Sequence, residues 1–149
     1  MRARAFLFIT GPALASVSFV GAQSPAPSAH VAVTPKDVVW EAAPPVFRPG
    51  AQGAVILGDL SKPGPYVVRM KAPAGYTIMP HWHRSDENVT VLSGTIAMGM
   101  GDTVDTKTAT VLTAGSFMLV PAESHHYMVS RTESVVQVHG VGPFSITYV

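Results

Sequence analysis

The residues best suited to chemistry lie in one short run, "PHWHRSDENVTVLSG", residues 80–94. His81 and His83 stand one residue apart, and Glu87 follows four residues after His83. Alternate residues of a strand point the same way, so a strand here puts both imidazoles on one face, about 6.5–7 Å apart at the backbone. Rings of that reach can converge on one cation at about 2.0–2.2 Å. Imidazole is also the commonest protein metal ligand. "RSD" can turn the chain so that the next strand returns the Glu87 carboxylate to the same point. A further ligand must come from elsewhere, and "PAESHHYM", residues 121–128, offers His125 or His126. Parity places these two on opposite faces, so only one can join. Three nitrogens and one oxygen around an octahedral ion would leave two positions for substrate or oxygen.

Such ligands need strands to carry them. From Asp37 onward, short runs rich in Val, Ile, Thr, Tyr and Met recur between Gly, Pro, Asp and Ser: "DVVWEA", "GAVILGDL", "YVVRMKA", "YTIMPHWH", "NVTVLSG", "TIAMGMG", "SFMLVP", "HHYMVS", "SVVQVHG" and "FSITYV". Roughly ten strands at this spacing predict an all-β sandwich or barrel. "TKTATVLTAG" is short and reads as a turn with one helical turn at most. Counting alternate residues puts Met79, His81 and His83 on one face and Ile78, Pro80 and Trp82 on the other. His126, Met128 and Ser130 share a face, as do Val135, Gln137 and His139. If the latter face lines a cavity, Gln137 and His139 can hydrogen-bond a substrate or a ligand histidine, and with Glu87 they are the candidate catalytic groups. The other reading of that pair is an outward polar stripe. The methionines, seven in all, suit irregular core or pocket lining, although thioethers beside a metal also suit copper.

The first segment stands apart. "MRAR" is basic, "AFLFITGPALASVSFV" is apolar, and small residues at Val20 and Ala22 complete the layout of a secretory signal peptide, with cleavage expected after Ala22. Removing residues 1–22 leaves 127 of the 149 residues and takes away Arg2 and Arg4, so the formal charge moves from +1 to −1. Nothing basic enough for nucleic acid or an anionic membrane surface remains. Residues 23–36, rich in Pro, Ala and Ser, read as a flexible leader before one domain over 37–149. There is no cysteine. Disulfides and thiolate metal sites are therefore excluded, and the chain is expected in the periplasm or outside the cell.

Gly75, His81, Trp82, His83, Glu87 and Gly94 stand at the spacing of the first conserved motif of the cupins, and Gly115, Pro121, Ala122 and His126 resemble the second. Two positions depart from the second motif: Glu123 stands where the family usually has glycine, and Ser130 where it often has asparagine. The resemblance covers roughly residues 50–149. It implies a double-stranded β-helix of jelly-roll type, usually a homodimer, with one divalent metal in the barrel mouth. Its register makes the ligands His81, His83, Glu87 and His126, and leaves His125 at the surface or a subunit contact. Iron, manganese, nickel, zinc and copper all suit such a set.

Fold membership leaves the reaction open. A dioxygenase-type enzyme on a small organic molecule comes first, then a binding or sensor module, then an isomerase or lyase. The last usually needs more charged groups than a chain with 13% charged residues offers. A cysteine nucleophile is impossible here, and no Gly-x-Ser-x-Gly turn supplies a serine one.

Overall fold

The computed structural model describes residues 30–149. The expected signal peptide, its cleavage point and the first half of the leader lie outside the described residues. A 3-10 turn at Pro35–Asp37 precedes the strands β1 (Glu41–Ala42), β2 (Gln52–Leu57), β3 (Gly64–Ala72), β4 (Thr77–Trp82), β5 (Glu87–Ser93) and β6 (Thr95–Met100). They continue with β7 (Thr110–Thr113), β8 (Phe117–Val120), β9 (His126–Ser130), β10 (Ser134–Gly142) and β11 (Thr147–Tyr148). One sheet has the order β1-β2-β3-β10-β5-β8 and the other β11-β4-β9-β6-β7. From β3 to β6 and from β8 to β11 the chain crosses between the sheets repeatedly, as in the expected all-β jelly roll.

Alternation in the sequence sets the inward faces. In β5, Glu87, Val89 and Val91 are buried while Asn88 and Thr90 are only half-buried. In β10, Ser134, Val136 and Val138 are buried, and the intervening residues are not. Val91, Ile96, Met98, Met128 and Val136 then meet between the sheets in one core. Each such side chain contributes on the order of 1.5–3 kcal/mol when removed from water. Gly94 turns β5 into β6 at φ 75°, where a Cβ would run into the backbone at Glu133 and Ser134. Gly99 leaves room for the Tyr127 ring, whose hydroxyl donates to Asp105 O at 2.7 Å and accepts from Asp105 N at 3.0 Å.

The structure corrects two local readings. "TKTATVLTAG" holds β7, paired with β6 from Thr95↔Thr113 to Met98↔Thr110; its β-branched residues serve an edge strand after all. In β4 the register shifts between Ile78↔Met128 and His81↔His126, so Met79 and Pro80 together oppose Tyr127. This bulge reverses the parity that simple alternation assigns. Ile78 joins His81 on the inner face, and Met79 is 45% exposed outside it.

Candidate metal centre

His81, His83 and His126 come together although the last is far away in sequence. β4 and β9 pair with His81 opposite His126, which puts two imidazoles side by side with ring centroids 4.1 Å apart. His83 lies just past the end of β4, and Glu87 opens β5 after the short turn between them. Two hydrogen bonds from backbone N–H groups join the turn before β9 to this region: Glu123 N donates to His83 O at 2.8 Å, and Ala122 N donates to the Asp86 side chain at Oδ1, also at 2.8 Å. Glu123 holds φ 61°, the one positive φ outside glycine among the described residues. The glycine usual at this position in the resembled motif thus has a steric reason, which this chain overrides.

The ring orientations are fixed from behind. Nδ1 of His81 donates to Met79 O at 2.7 Å, Nδ1 of His83 to Ser145 O at 2.5 Å, and Nδ1 of His126 to Ser124 O at 2.9 Å. A carbonyl can only accept, so each Nδ1 carries a hydrogen, and Nε2 is the nitrogen of each ring that can present a lone pair to a cation. One ligating atom from each ring falls within 4.8 Å of the others. The Nε2 atoms of His83 and His126 are buried without a hydrogen-bond partner. Orphaned polar atoms of that kind are costly unless something satisfies them, and a cation would. The three residues fit a metal site in donor type, tautomer and convergence.

Glu87 stands beside this trio rather than within it. Its Oε1 lies 3.5 Å from His83 Nε2 and its Oε2 3.2 Å from His126 Nε2. The second contact has the distance of a hydrogen bond without its alignment. Burial would raise the Glu87 pKa, but His126 and the positive charge available on all three rings outweigh it and hold the carboxyl below its ordinary value. For His126 burial works downward and the Glu87 carboxylate outweighs it, raising the imidazole above its usual range. His81 goes the other way: burial, reinforced by charge on His126, lowers it to about 4, so it is neutral at ordinary pH.

The cluster lies in the wall of a cavity of about 460 Å³ whose other lining is mostly apolar, including Ile78, Val89, Met98, Met128, Val136 and Val138. Val136 and Val138 occupy the inner face of β10, so Gln137 and His139 fall on the outer one and do not line the cavity. Gln137 instead accepts from Arg69 Nε at 3.1 Å, across the register of β10 and β3. The cavity-facing reading of this pair is thereby corrected; the apolar positions 136 and 138 were the signal for it. His125 also points away and pairs with Asp102 Oδ1 at 2.5 Å. Sequence reasoning missed Ser145, which offers His83 a main-chain oxygen that no side-chain type advertises, and Phe144, whose ring lies 5.2 Å from that of His83.

Residues 68–142 match the family model of the Cupin domain. The chain is a cupin. No curated protein matches it in sequence. Among solved structures this cupin is similar to a candidate acetylacetone dioxygenase from Methylibium petroleiphilum, with a TM-score of 0.65 and 16% identity over 85% of each chain. It is similar to the polyketide cyclase RemF from Streptomyces resistomycificus, with a TM-score of 0.63 and 15% identity over 81% of this chain and 86% of that one. An RmlC-like cupin from Shewanella frigidimarina matches with a TM-score of 0.59 and 18% identity, covering 76% of this chain and 91% of that one. At these identities the likeness is one of fold.

Proposed function

We propose that this cupin is an exported, homodimeric, mononuclear metal enzyme of the dioxygenase type, acting on a small organic molecule. The observation that carries the reading is the set of three imidazoles whose ligating atoms converge in the wall of an apolar cavity. His81, His83 and His126 would hold the cation, with Glu87 as a fourth donor on the side of His83 and His126. A divalent metal bound there supplies Lewis acidity and open positions for oxygen-bearing ligands. Glu87, kept ionised by its neighbours, is placed to take a proton from an acidic C–H or O–H of a substrate. The apolar walls exclude water from that proton transfer. Support for the exported form comes from the N-terminal sequence pattern. Phe117 and Leu119, exposed on the outer face of the first sheet, suit a second copy as partner.

An isomerase or lyase is less well supported, because Gln137 and His139 lie outside the cavity and Glu87 is its one acidic group. That same scarcity favours a binding or sensor module as the second reading. Oxygen uptake separates the two. Protein reconstituted in turn with iron, manganese, nickel, copper and zinc is given acetylacetone and related 1,3-dicarbonyl compounds, the former being named in one structural neighbour. Metal-dependent oxygen consumption supports the enzyme. Tight ligand binding with no consumption under any metal would leave the sensor.

A further inference from the structure

We propose that the cavity takes a largely apolar organic molecule, alkyl or aryl in its body, with one oxygen-bearing head group and no second charge. The head rests on the metal reading above; the body rests on the cavity walls alone. The cavity, about 460 Å³, falls in the range that buries drug-sized molecules. Beyond the histidine cluster, its charged residues are Glu87 and Arg69. Arg69 alternates with the inward-facing Val68 and Met70, and its Nε is engaged by Gln137 at 3.1 Å on the outer face. Beyond the histidine cluster the walls therefore present no cation to a phosphate, a sulfonate or a second carboxylate, and Glu87 adds a negative charge that repels them. The remaining lining hydroxyls belong to Ser61 and Ser145, too few for the several hydroxyls of a sugar. A charged body would lose its hydration and find no partner, a cost that apolar walls cannot offset.

The shape of the walls points the same way. Phe144 sets a flat apolar ring beside His83, edge-on to Tyr66 at 5.9 Å, next to the position of the head group. Met98 and Met128, paired across β6 and β9, are flexible thioethers that can adapt to bodies of different outline.

The test uses two probes with the same head and different bodies, salicylate and 5-sulfosalicylate. Each is titrated calorimetrically into wild-type protein, both metal-loaded and metal-stripped, with metal content fixed separately by elemental analysis. Salicylate is expected to bind, and the sulfonated probe to bind about 100-fold more weakly or not at all, because its added charge is buried unpaired. The preference is expected in both forms, with salicylate tighter when metal is present. Equal affinities, a preference for the sulfonated probe, or no binding of salicylate in either form would overturn the proposal. Val138→Trp, which adds bulk to the cavity wall on β10, a strand that carries none of the three clustered histidines, should abolish salicylate binding while metal content stays at the wild-type level. Undiminished salicylate binding in that variant would overturn it too; should the variant not fold, the paired titration of the wild type decides. Protein that takes up no metal yet still discriminates between the probes contradicts the metal reading alone.

Discussion

His81 and His126 are oriented from within their own stretch of chain, His83 from its far end. The first two donate Nδ1 to carbonyls two residues before them, at Met79 and Ser124. His83 donates to Ser145, 62 residues away. A local anchor forms wherever the strand forms. A remote one exists only after the barrel has closed, with Phe144 N bonded to Leu60 O and β11 laid along β4 at Thr147↔Trp82 and Tyr148↔His81. Two-thirds of the candidate site is thus built into β4 and β9, and the last third reports on the integrity of the whole domain.

Replacing the rings themselves should have the largest effect. His126→Ala or His81→Ala leaves two imidazoles, and metal affinity measured by competition with a chelator should fall by at least about 1,000-fold. Ending the chain at Gly142 removes Ser145 and β11 while sparing both local anchors. Loss of a partner that orients a ligand typically costs about 10–100-fold in affinity, and that is the fall expected in the same competition assay. Affinity equal to that of the full chain would show that the remote anchor contributes nothing and would erase the contrast.

Acid should separate the histidines again. The unfolded His81 imidazole takes its proton near 6.5 and the buried one only near 4. Between those values the unfolded chain binds more protons, so the metal-free protein should lose stability as pH falls through that window. The lowered Glu87 carboxyl adds to the loss at still lower pH, since its contribution is present above its unfolded value and vanishes on acidification. The raised His126 acts in the opposite sense: its contribution is present in acid and is lost as pH rises through its folded value. The thermal midpoint of metal-free His81→Ala should therefore depend less on pH between 6.5 and 4 than that of the wild type. Parallel curves would contradict the assigned burial effect.

Smaller effects lie outside the cluster. Glu123→Gly relieves a left-handed backbone at φ 61° and should stabilise the fold by about 1 kcal/mol, read as a higher denaturant midpoint at unchanged slope. Gln137→Ala, on the outer face of β10, should stay within about 0.5 kcal/mol of wild type and leave metal affinity unchanged. A loss of metal there would return Gln137 to the site.

Much of this was legible in the order of residues. The i, i+2 histidines and the second histidine motif name the three imidazoles that converge, and the glutamate after a short turn names the carboxylate beside them. Recurrent β-branched runs separated by turn residues mark most of the strands that carry them. What escaped has physical causes. Parity counting assumes an unbroken pleat, so the bulge at Met79 and Pro80 sent Ile78 and Met79 to the wrong faces. The phase of β10 had to be chosen between Val135 with Gln137 and His139 and the set Val136 and Val138; burial of the second pair settles it. β7 is an edge strand of four residues, Thr-Val-Leu-Thr, too short to carry much pattern. Ser145 acts through its main chain, which gives no sequence signal at all.

The most direct measurement is X-ray absorption at the metal edge of the purified, reconstituted protein, with metal content determined on the same sample. One divalent ion per chain, with about three imidazole nitrogens in its shell at about 2.0–2.2 Å, is the expected result. Protein that holds no stoichiometric metal, or a shell of oxygen scatterers unchanged in His126→Ala, would contradict it.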